Sequence, residues 1–492
     1  MARRTAIIDI GSNSLTLVVY EKSSRFAFHL IEKSRSRVRI GEGAYENGGY
    51  LQEIAMERAY DSISDFLSIA RSLRCRKVLC VATSALRDAP NKKVFLKRVE
   101  RELKLNIRVI DGDREAWYGA LAAATLLPLM TRAVTIDIGG GSTELALIEE
   151  GEIKETLSLD IGTVRIKELF FDKKCSFEEA ERFILEVCAS IPSYFASGTV
   201  VGIGGTIRAL STTIMHQENY PLNSLHAYTY KVGDHRKFIK KVARSELLKL
   251  KTLGISKSRF DTIREGSAIF SILLERLEAR DVIVSKAGVR EGVYLHDILR
   301  NANYRFPRNF NPSIKSLIDR FAMDPRNNAF LGRTAASIFD VLQPAFGFDS
   351  TFRNELLMAA KLIEIGKRIS IYSNNSLSFD FMLENLNFAL SHKQKILIAL
   401  LVRYAQKREI NEKEITPYRA LLPKMRDLRW YGFIMSLTAC LNASRKIQKI
   451  EVAYHKEEKS LYLRGTSNLF LAKECSKKLS KPSAFAIIVE ER

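Results

Sequence analysis

Two short segments of the sequence share the residue types that bind phosphate groups. Asp9–Leu17 reads DIGSNSLTL and Asp137–Leu145 reads DIGGGSTEL, so Asp, Ile, Gly, Ser and Leu recur at matched positions about one domain length apart. Glycine allows a tight turn to approach an anion, and successive backbone N–H groups with Ser or Asn side chains can then surround phosphate oxygens. A turn with only a structural role has no need to repeat its polar residues. The two hairpins are therefore predicted to bind phosphate through Gly11, Ser12, Asn13, Ser14, Gly139, Gly140, Gly141 and Ser142.

Carboxylates in the same segments predict a magnesium site. Asp9 and Asp137 each stand at the end of a predicted strand, where a carboxylate can face hydrated Mg²⁺. Glu144 follows Ser142 by two residues, at the position that Thr16 occupies in the first segment, so it shares one face of its strand with Ser142. We expect Asp137 and Glu144 to bind one Mg²⁺ largely through water, with Asp9 as a further metal residue. The alternative for Glu144 is a strand residue that contacts only solvent.

A third glycine segment and two charged side chains complete the candidate site. Gly205 and Thr206 would begin a helix whose N-terminal N–H groups favour an anion, although a close strand–helix crossing would also use glycine there. Glu115, in the first turn of another helix, is the candidate to orient and deprotonate a water; its competitor, Asp113, fits better as a helix N-cap. Arg87 could bind the transferred phosphoryl group with two hydrogen bonds, and the alternative is an exposed surface arginine.

These residues lie on a predicted alternation of strands and helices. Short apolar runs and helical spacings alternate from Thr5 to Leu127, and the same pattern restarts at Ala133 and continues to Ser285, which is typical of an α/β fold. The region around Pro307 indicates a linker, beyond which helical spacing dominates until a strand-rich end. We predict three domains, 1–120, 121–305 and 306–492, with a returning helix near 291–305 that could belong to the first.

The net charge of +21 indicates a polyanionic partner, such as a phosphate-rich small molecule, a nucleic acid or an anionic membrane. Residues 301–492 hold 31 Lys and Arg residues against 18 Asp and Glu residues, a local charge of +13. The six cysteines form no Cys-x-x-Cys pair, which in a chain of 492 residues predicts reduced thiols and a cytoplasmic location. The longest apolar run, Ala120–Met130, is too short to span a bilayer, so a buried helix and no transmembrane segment are expected.

Together, these motifs resemble the exopolyphosphatase/guanosine pentaphosphate phosphohydrolase (Ppx/GppA) family, which is part of the actin–Hsp70–sugar kinase superfamily. The combination of SNS in the first hairpin with GGGSTE in the other resembles this family rather than a kinase. The resemblance covers nearly all of residues 1–300, in order. It runs through Asp9–Ser14, Ala82–Arg87, Glu115–Ala116, Asp137–Glu144, Gly204–Thr206 and Gly288–Gly292.

The resemblance implies both a fold and residue roles. The fold is α/β, with two actin-like (ribonuclease H-like) domains that face a cleft, followed by a mainly helical, HD-like C-terminal domain with a small β-rich tail. Glu115 matches the family's catalytic glutamate, Arg87 its phosphate-contacting arginine, and Asp137 with Glu144 its Mg²⁺-binding pair. In one departure, Arg114 replaces the first Glu of the family's Gly-x-Glu-Glu-Ala pattern, which changes the neighbour of Glu115 but leaves the catalytic position intact.

The C-terminal part resembles the longer members of the family in Leu362–Gly366, Glu384–Asn385 and Leu401–Tyr404. A metal site of the HD type would need His and Asp at Ile363 and Glu364, and isoleucine cannot bind a metal, so no second metallohydrolase site is predicted. The charge of +13 suggests a basic track for a long polyanion or a dimer contact, and the alternative is a solvated basic surface. A homodimer is expected.

The predicted reaction is Mg²⁺-dependent hydrolysis of the terminal phosphoanhydride of inorganic polyphosphate or guanosine pentaphosphate, with release of orthophosphate. The basic C-terminal part favours polyphosphate, although the site residues fit both substrates. The alternatives are an ATPase or sugar kinase of the same superfamily and a non-catalytic sensor of guanosine tetra- or pentaphosphate. Intact Glu115, Asp137 and Glu144 argue against the sensor. The charge permits nucleic-acid binding, but no motif supports a specific nucleic-acid partner.

Overall fold

The computed structural model describes residues 3–173, 175–405 and 410–491 of the chain. Contacts within the chain divide it into two compact units, Met1–Phe310 and Asn311–Arg492. The first unit contains two mixed sheets of five and six strands, and the second is mainly helical with a sheet of three strands. The predicted α/β architecture with a helical C-terminal part and a small β-rich tail is therefore confirmed.

The first sheet of the N-terminal unit contains strands β1 (Arg3–Ile10), β2 (Leu15–Lys22), β3 (Phe28–Ser36), β4 (Lys77–Ala82) and β5 (Ile107–Val109). Its order is β3-β2-β1-β4-β5. The helices of this part are α1 (Glu53–Ser72), α2 (Ser84–Asp88), α3 (Lys92–Leu103) and α4 (Gly112–Leu126). Alternate residues of β1, namely Ala6, Ile8 and Ile10, point to one core shared with α1 and α3, as the two-residue period of a strand requires.

The second sheet contains β6 (Arg132–Ile138), β7 (Thr143–Glu149), β8 (Glu152–Leu159), β9 (Thr199–Ile203), β10 (Thr229–Lys231) and β11 (Asp281–Val284). Its order is β10-β11-β9-β6-β7-β8. Its helices are α5 (Thr163–Ile166), α6 (Phe177–Ala189), α7 (Gly204–Gln217), α8 (Val232–Arg244) and α9 (Ile263–Arg276). β1 pairs antiparallel with β2 and parallel with β4, and β6 pairs in the same two ways with β7 and β9. The sequence repeat is thus a repeat of topology.

Helix α10 (Val289–Leu299) returns to the first sheet after the second is complete. It packs against β1 and against α4, while α4 also packs against β7 and β8. A methyl group on Gly292 of α10 would lie only 2.0 Å from the carbonyl oxygen of Tyr118 in α4, so only glycine allows the two helices to cross this closely. Because Tyr118 is one turn after Glu115, this crossing also fixes the helix that carries the candidate catalytic residue.

The C-terminal unit is described by itself. Its helices are α11 (Pro312–Phe321), α12 (Pro325–Phe346), α13 (Arg353–Leu362), α14 (Asn374–Asn385), α15 (His392–Tyr404), α16 (Glu412–Ile415), α17 (Met425–Leu441) and α18 (Phe470–Ser476). Its sheet, in the order β12-β13-β14, consists of β12 (Ile450–His455), β13 (Ser460–Gly465) and β14 (Ala486–Glu491). Trp430 of α17 stacks on Phe348 and on Phe485, which precedes β14.

A disulfide joins two helices of the C-terminal unit. Cys440 of α17 is bonded to Cys475 of α18, with their Cα atoms 5.4 Å apart. The prediction that all the cysteines are reduced thiols is therefore wrong for this pair, because residues far apart in sequence meet only in the folded unit. Most of the apolar run Ala120–Met130 lies in α4 and is buried, as predicted. Within the described residues, no helix is both long and apolar enough to cross a membrane.

Candidate active site

The two predicted phosphate-binding hairpins contain the same turn. The N–H of Gly11 donates a hydrogen bond of 3.2 Å to the carbonyl oxygen of Ser14, and the N–H of Gly139 donates one of 3.0 Å to that of Ser142. Each turn links the strand that carries the leading aspartate to its antiparallel partner. The matched spacing of glycine and serine in the sequence therefore corresponds to a matched backbone conformation on the two sheets.

The hairpins meet beside a cavity of about 610 Å³. A methyl group on Gly140 would lie 2.8 Å from Cβ of Ser12, so glycine is needed where the hairpins touch, and Ser12 Oγ lies 2.9 Å from Ser84 Oγ. The predicted site residues that line the cavity are Asp9, Gly11, Ser12, Asn13, Ser14, Glu115, Asp137, Gly139, Gly140, Gly205 and Thr206. Those that do not line it are Arg87, Gly141, Ser142 and Glu144.

Glu115 is buried in the first turn of α4, with 8% of its surface exposed. Its Oε2 accepts a 2.9 Å hydrogen bond from Nη1 of Arg87, and Nη2 of Arg87 also donates to Oγ of Ser142 at 3.3 Å. Burial and repulsion by Glu144 raise the pKa of Glu115 well above its usual range, and Arg87 opposes this shift. A carboxylate with a raised pKa is a stronger proton acceptor, which suits the predicted role in activating water.

The start of α4 differs in one respect from the expectation. Asp111, not Asp113, is the N-cap, because its carboxylate accepts a hydrogen bond of 2.7 Å from the backbone N–H of Arg114. Asp113 instead accepts a 3.0 Å bond from the Thr156 hydroxyl, and it does not line the cavity. Arg114, the departure from the family pattern, lies 4.5 Å from the ring centre of Trp117. Of the two acids considered for activating water, only Glu115 faces the cavity.

Asp137 and Glu144 stand directly opposite each other in the β6–β7 ladder. Burial raises the pKa of Asp137 to about 6, although Arg208 opposes the shift. Burial likewise raises the pKa of Glu144 to about 8, although a hydrogen bond from Ser142 opposes the shift. The hydroxyl of Ser158 also donates to Glu144, at 3.2 Å. The two carboxyl groups thus share one face, and burial disfavours their charged forms in the absence of a cation.

This donor set fits Mg²⁺. The ion prefers carboxylate oxygens, usually one or two, and keeps several waters or substrate oxygens as its other ligands. Within residues 3–173, 175–405 and 410–491, no group of three or more His, Cys, Asp or Glu side chains is arranged to hold a metal by itself. Asp9 also lines the cavity, and Nη1 of Arg290 is 3.7 Å from its Oδ2. Asp137 and Glu144 would therefore hold the metal, and this role stays a prediction.

The third glycine segment lies at the N-terminus of α7, as predicted. Gly204 begins the helix with φ of +90°, a conformation that other residues rarely adopt, and a methyl group there would lie 2.9 Å from Oδ1 of Asp137. Gly205 and Thr206 follow in the first turn and line the cavity. The glycines allow a close crossing, and the helix N-terminus also faces the cavity, so the anion-binding role of Gly205 and Thr206 stays a prediction.

Sequence reasoning missed a set of cations in the cavity wall. Arg35 donates from Nε to the Ser14 hydroxyl at 3.1 Å, which connects the cations to the first hairpin. The alternation of Lys33 and Arg35 along β3 is a signal that could have identified two of them, since such residues share one face of a strand. The others come from segments that meet only in the folded unit. The full set is Lys33, Arg35, Arg208, Arg259, Lys286 and Arg290.

Glu364 of the C-terminal unit, at a position where an HD-type site would need a metal ligand, is paired with cations. Its carboxylate accepts hydrogen bonds from Lys367 at 2.6 Å, from Arg445 at 3.2 Å and from the Asn327 amide at 3.1 Å. The neighbouring Ile363 is buried and has no donor atom for a metal. Two positively charged side chains therefore compensate this carboxylate, where a metallohydrolase would have a metal ion.

Comparison with known proteins identifies the family. The family model described as the Ppx/GppA phosphatase family matches residues 18–301, more than half of the chain. The chain belongs to the Ppx/GppA phosphatase family. It is therefore a phosphatase, and the resemblance to this family is confirmed.

Relatives of this Ppx/GppA phosphatase extend across both units. A protein named guanosine-5'-triphosphate,3'-diphosphate pyrophosphatase from Aeromonas hydrophila is 28% identical over 408 residues, which cover 80% of this chain and 79% of that protein. The crystal structure of an Aquifex aeolicus family member is 29% identical with a TM-score of 0.53, and covers 61% of this chain and 99% of that one. The structure of an exopolyphosphatase from Cytophaga hutchinsonii is 24% identical, with a TM-score of 0.55. The match covers 60% of this chain and 98% of that one, and it supports the fold.

Proposed function

We propose that this phosphatase uses Mg²⁺ to hydrolyse the terminal phosphoanhydride of guanosine pentaphosphate or inorganic polyphosphate, with release of orthophosphate. The observation that carries the proposal is that carboxylates and cations line the same cavity. Glu115 and Asp137 line it beside the hairpins, Arg208 and Arg290 oppose the rise that burial causes in the pKa of Asp137, and Lys33 and the other cations line the cavity as well. A terminal phosphate would bind at the carboxylates, and the rest of a polyanion at the cations.

Several of the cavity cations are buried or partly buried and repel one another. Partial burial, together with Arg290 and Arg208, lowers the pKa of Lys33, and burial with Arg259 lowers the pKa of Arg35. Burial lowers the pKa of Arg208 to about 10, with Arg290 adding to the shift. Mutual repulsion of this kind is relieved when several negative charges bind together. Several linked phosphates satisfy this requirement better than a single phosphate does.

In the proposed mechanism, N–H groups and hydroxyls of the two hairpins bind the terminal phosphate, and Glu115 accepts a proton from the attacking water. Arg87 holds the Glu115 carboxylate and adds positive charge next to the Ser142 hairpin. Asp137 and Glu144 would hold Mg²⁺, which supplies neutralisation of phosphate charge when it is bound. The bond from the terminal phosphorus to the bridging oxygen breaks as the water oxygen bonds to phosphorus, so the bridging oxygen stays with the shortened chain and orthophosphate is released.

Two observations bear on the choice of substrate. The Aeromonas hydrophila relative, which covers 80% of this chain, is named for guanosine-5'-triphosphate,3'-diphosphate, so guanosine pentaphosphate is the first candidate. The charge of +13 on residues 301–492 favours polyphosphate as the second, because a longer polyanion gains more from a basic surface. An ATPase or kinase would instead release phosphate from ATP or transfer it to a sugar. The homodimer and the cytoplasmic location stay predictions.

One assay tests the proposal. Orthophosphate release is measured with Mg²⁺ on guanosine pentaphosphate, long-chain polyphosphate and ATP in parallel, with a Glu115→Gln variant as the control for contaminating phosphatases. Release from either of the first two substrates by the wild type alone is the expected result. Absence of release from both would overturn the proposal, and release from ATP alone would favour the ATPase alternative. Tight binding of guanosine pentaphosphate without release would favour a sensor.

A further inference from the structure

The Gly288–Gly292 segment carries part of the family resemblance but has no assigned role, and it contains a buried contact with Tyr20. The Tyr20 hydroxyl donates a 2.6 Å hydrogen bond to Oε1 of Glu291, and the backbone N–H of Gly288 donates one of 2.8 Å to Oε2. Tyr20 and Glu291 are only 2% and 8% exposed. Because Tyr20 belongs to β2, the pair joins the first sheet to the first turn of α10.

Arg290 lies next to Glu291 in this first turn. Its Nη1 is 3.7 Å from Oδ2 of Asp9, and its buried Nε has no hydrogen-bond partner among the described residues. Arg290 lines the cavity, so its guanidinium lies beside the space that a bound anion would occupy. The conformation of this turn therefore decides whether Arg290 can contact a phosphate.

We propose that Tyr20 and Glu291 are positioning residues for phosphate binding. Their hydrogen bond fixes the first turn of α10 against β2 and thereby holds the guanidinium of Arg290 toward the anion. Gly292, one residue later, is packed against the carbonyl of Tyr118, so the turn is held on both sides and has little freedom to adjust. The inference rests on the proposed function for the identity of the anion.

Helix α10 also supplies a matched control. The Tyr294 ring stacks on the Tyr20 ring, with centroids 4.6 Å apart, and is equally buried. Its hydroxyl has no hydrogen-bond partner within the part of the chain that the structure describes. Tyr294→Phe therefore removes the same atom from the same kind of ring without breaking a hydrogen bond. Tyr20→Phe removes the atom that holds Glu291.

Turnover kinetics test the role. Tyr20→Phe should raise KM for guanosine pentaphosphate roughly tenfold with a smaller change in kcat, because a misplaced cation weakens substrate binding. Tyr294→Phe should stay within about twofold of the wild type. In an Arg290→Ala background, Tyr20→Phe should have no further effect on KM, because the residue through which it acts is gone. A merely structural role would instead lower the melting temperature and kcat together, leave KM unchanged and persist without Arg290; that result would overturn the proposal.

Calorimetric titration with inorganic tripolyphosphate in the absence of Mg²⁺ separates this inference from the proposed function. We expect the affinity of Tyr20→Phe to fall roughly tenfold and that of Tyr294→Phe to match the wild type. If the wild type binds tripolyphosphate with this pattern but releases no phosphate in the assay above, only the proposed function fails. If the wild type is active and Tyr20→Phe binds and reacts like it, only the inference fails. A wild type that neither binds nor hydrolyses would overturn both.

Discussion

Arg87 donates a hydrogen bond of 2.9 Å to Glu115, so the cation and the carboxylate predicted to act in the reaction are in direct contact. If Glu115 accepts a proton from the attacking water, its neutral isostere cannot do so. Glu115→Gln should therefore lower kcat by a factor of about 10² to 10⁴ and change KM little. Phosphate release under single-turnover and steady-state conditions measures both quantities.

The neighbouring acid Asp113 provides the control for this prediction. It lies two residues earlier in α4, is bonded to Thr156 and does not line the cavity. Asp113→Asn should therefore keep kcat within about threefold of the wild type. Comparable losses in both variants would indicate damage to α4 rather than loss of a proton acceptor, and substantial turnover by Glu115→Gln would remove Glu115 from the mechanism.

We predict that substitutions in the two hairpins change the Mg²⁺ dependence of activity differently. Glu144 is the cross-strand partner of Asp137, whereas the partner of Asp9 is Thr16, which cannot offer a carboxylate. Glu144→Gln should therefore raise the Mg²⁺ concentration that gives half-maximal activity by roughly tenfold or more, whereas Thr16→Val should leave it unchanged. Mg²⁺ titration of activity after treatment with a chelator measures the shift. An equal Mg²⁺ dependence in the wild type and both variants would exclude Glu144 as a metal residue.

The hairpins could be predicted because their information is local. The positions of Gly11 and Gly139 specify the turn directly, and the spacing from Asp137 to Glu144 determines which side chains share a face once the turn is known. The antiparallel pairing then places these two carboxylates opposite each other, as the structure has them. The arrangement of residues within one hairpin could therefore be predicted without knowledge of the tertiary fold.

Elements and contacts without such a local signal were missed. β8 is an edge strand in which the three exposed residues, Glu152, Lys154 and Glu155, are all charged, so it lacks the apolar run expected of a strand. Most residues of α17 are buried on all sides, so no amphipathic period identifies its boundaries. Arg208, Arg259 and Arg290 come from three separate segments and share a cavity only because the topology brings those segments together.

Because of its disulfide, we predict that the stability of the C-terminal unit depends on redox conditions. Cys440 and Cys475 are 35 residues apart in sequence, and a cross-link over such a loop is worth about 4 kcal/mol through the entropy of the unfolded chain. Reduction, or a Cys440→Ser/Cys475→Ser variant, should lower the melting temperature of this unit. Cys175→Ser, which changes an exposed free thiol, should leave the melting temperature unchanged. Six titratable thiols in the unreduced, denatured protein would contradict the prediction.

Because Glu265 is buried, we predict that the stability of the N-terminal unit depends on pH. The residue is 4% exposed, and its Oε2 has no hydrogen-bond partner in the described residues. Burial raises its pKa to about 7; Asp172 adds to this shift, whereas Arg264 and Lys167 oppose it. Ionisation of Glu265 therefore lowers the free energy of unfolding as the pH rises from 4.5, the pKa in the unfolded chain, through 7. The loss reaches about 3 kcal/mol at pH 8. Glu265→Gln should melt higher than the wild type at pH 8 but not at pH 5, whereas exposed Glu275→Gln should show no such difference. A pH-independent effect of Glu265→Gln would contradict this.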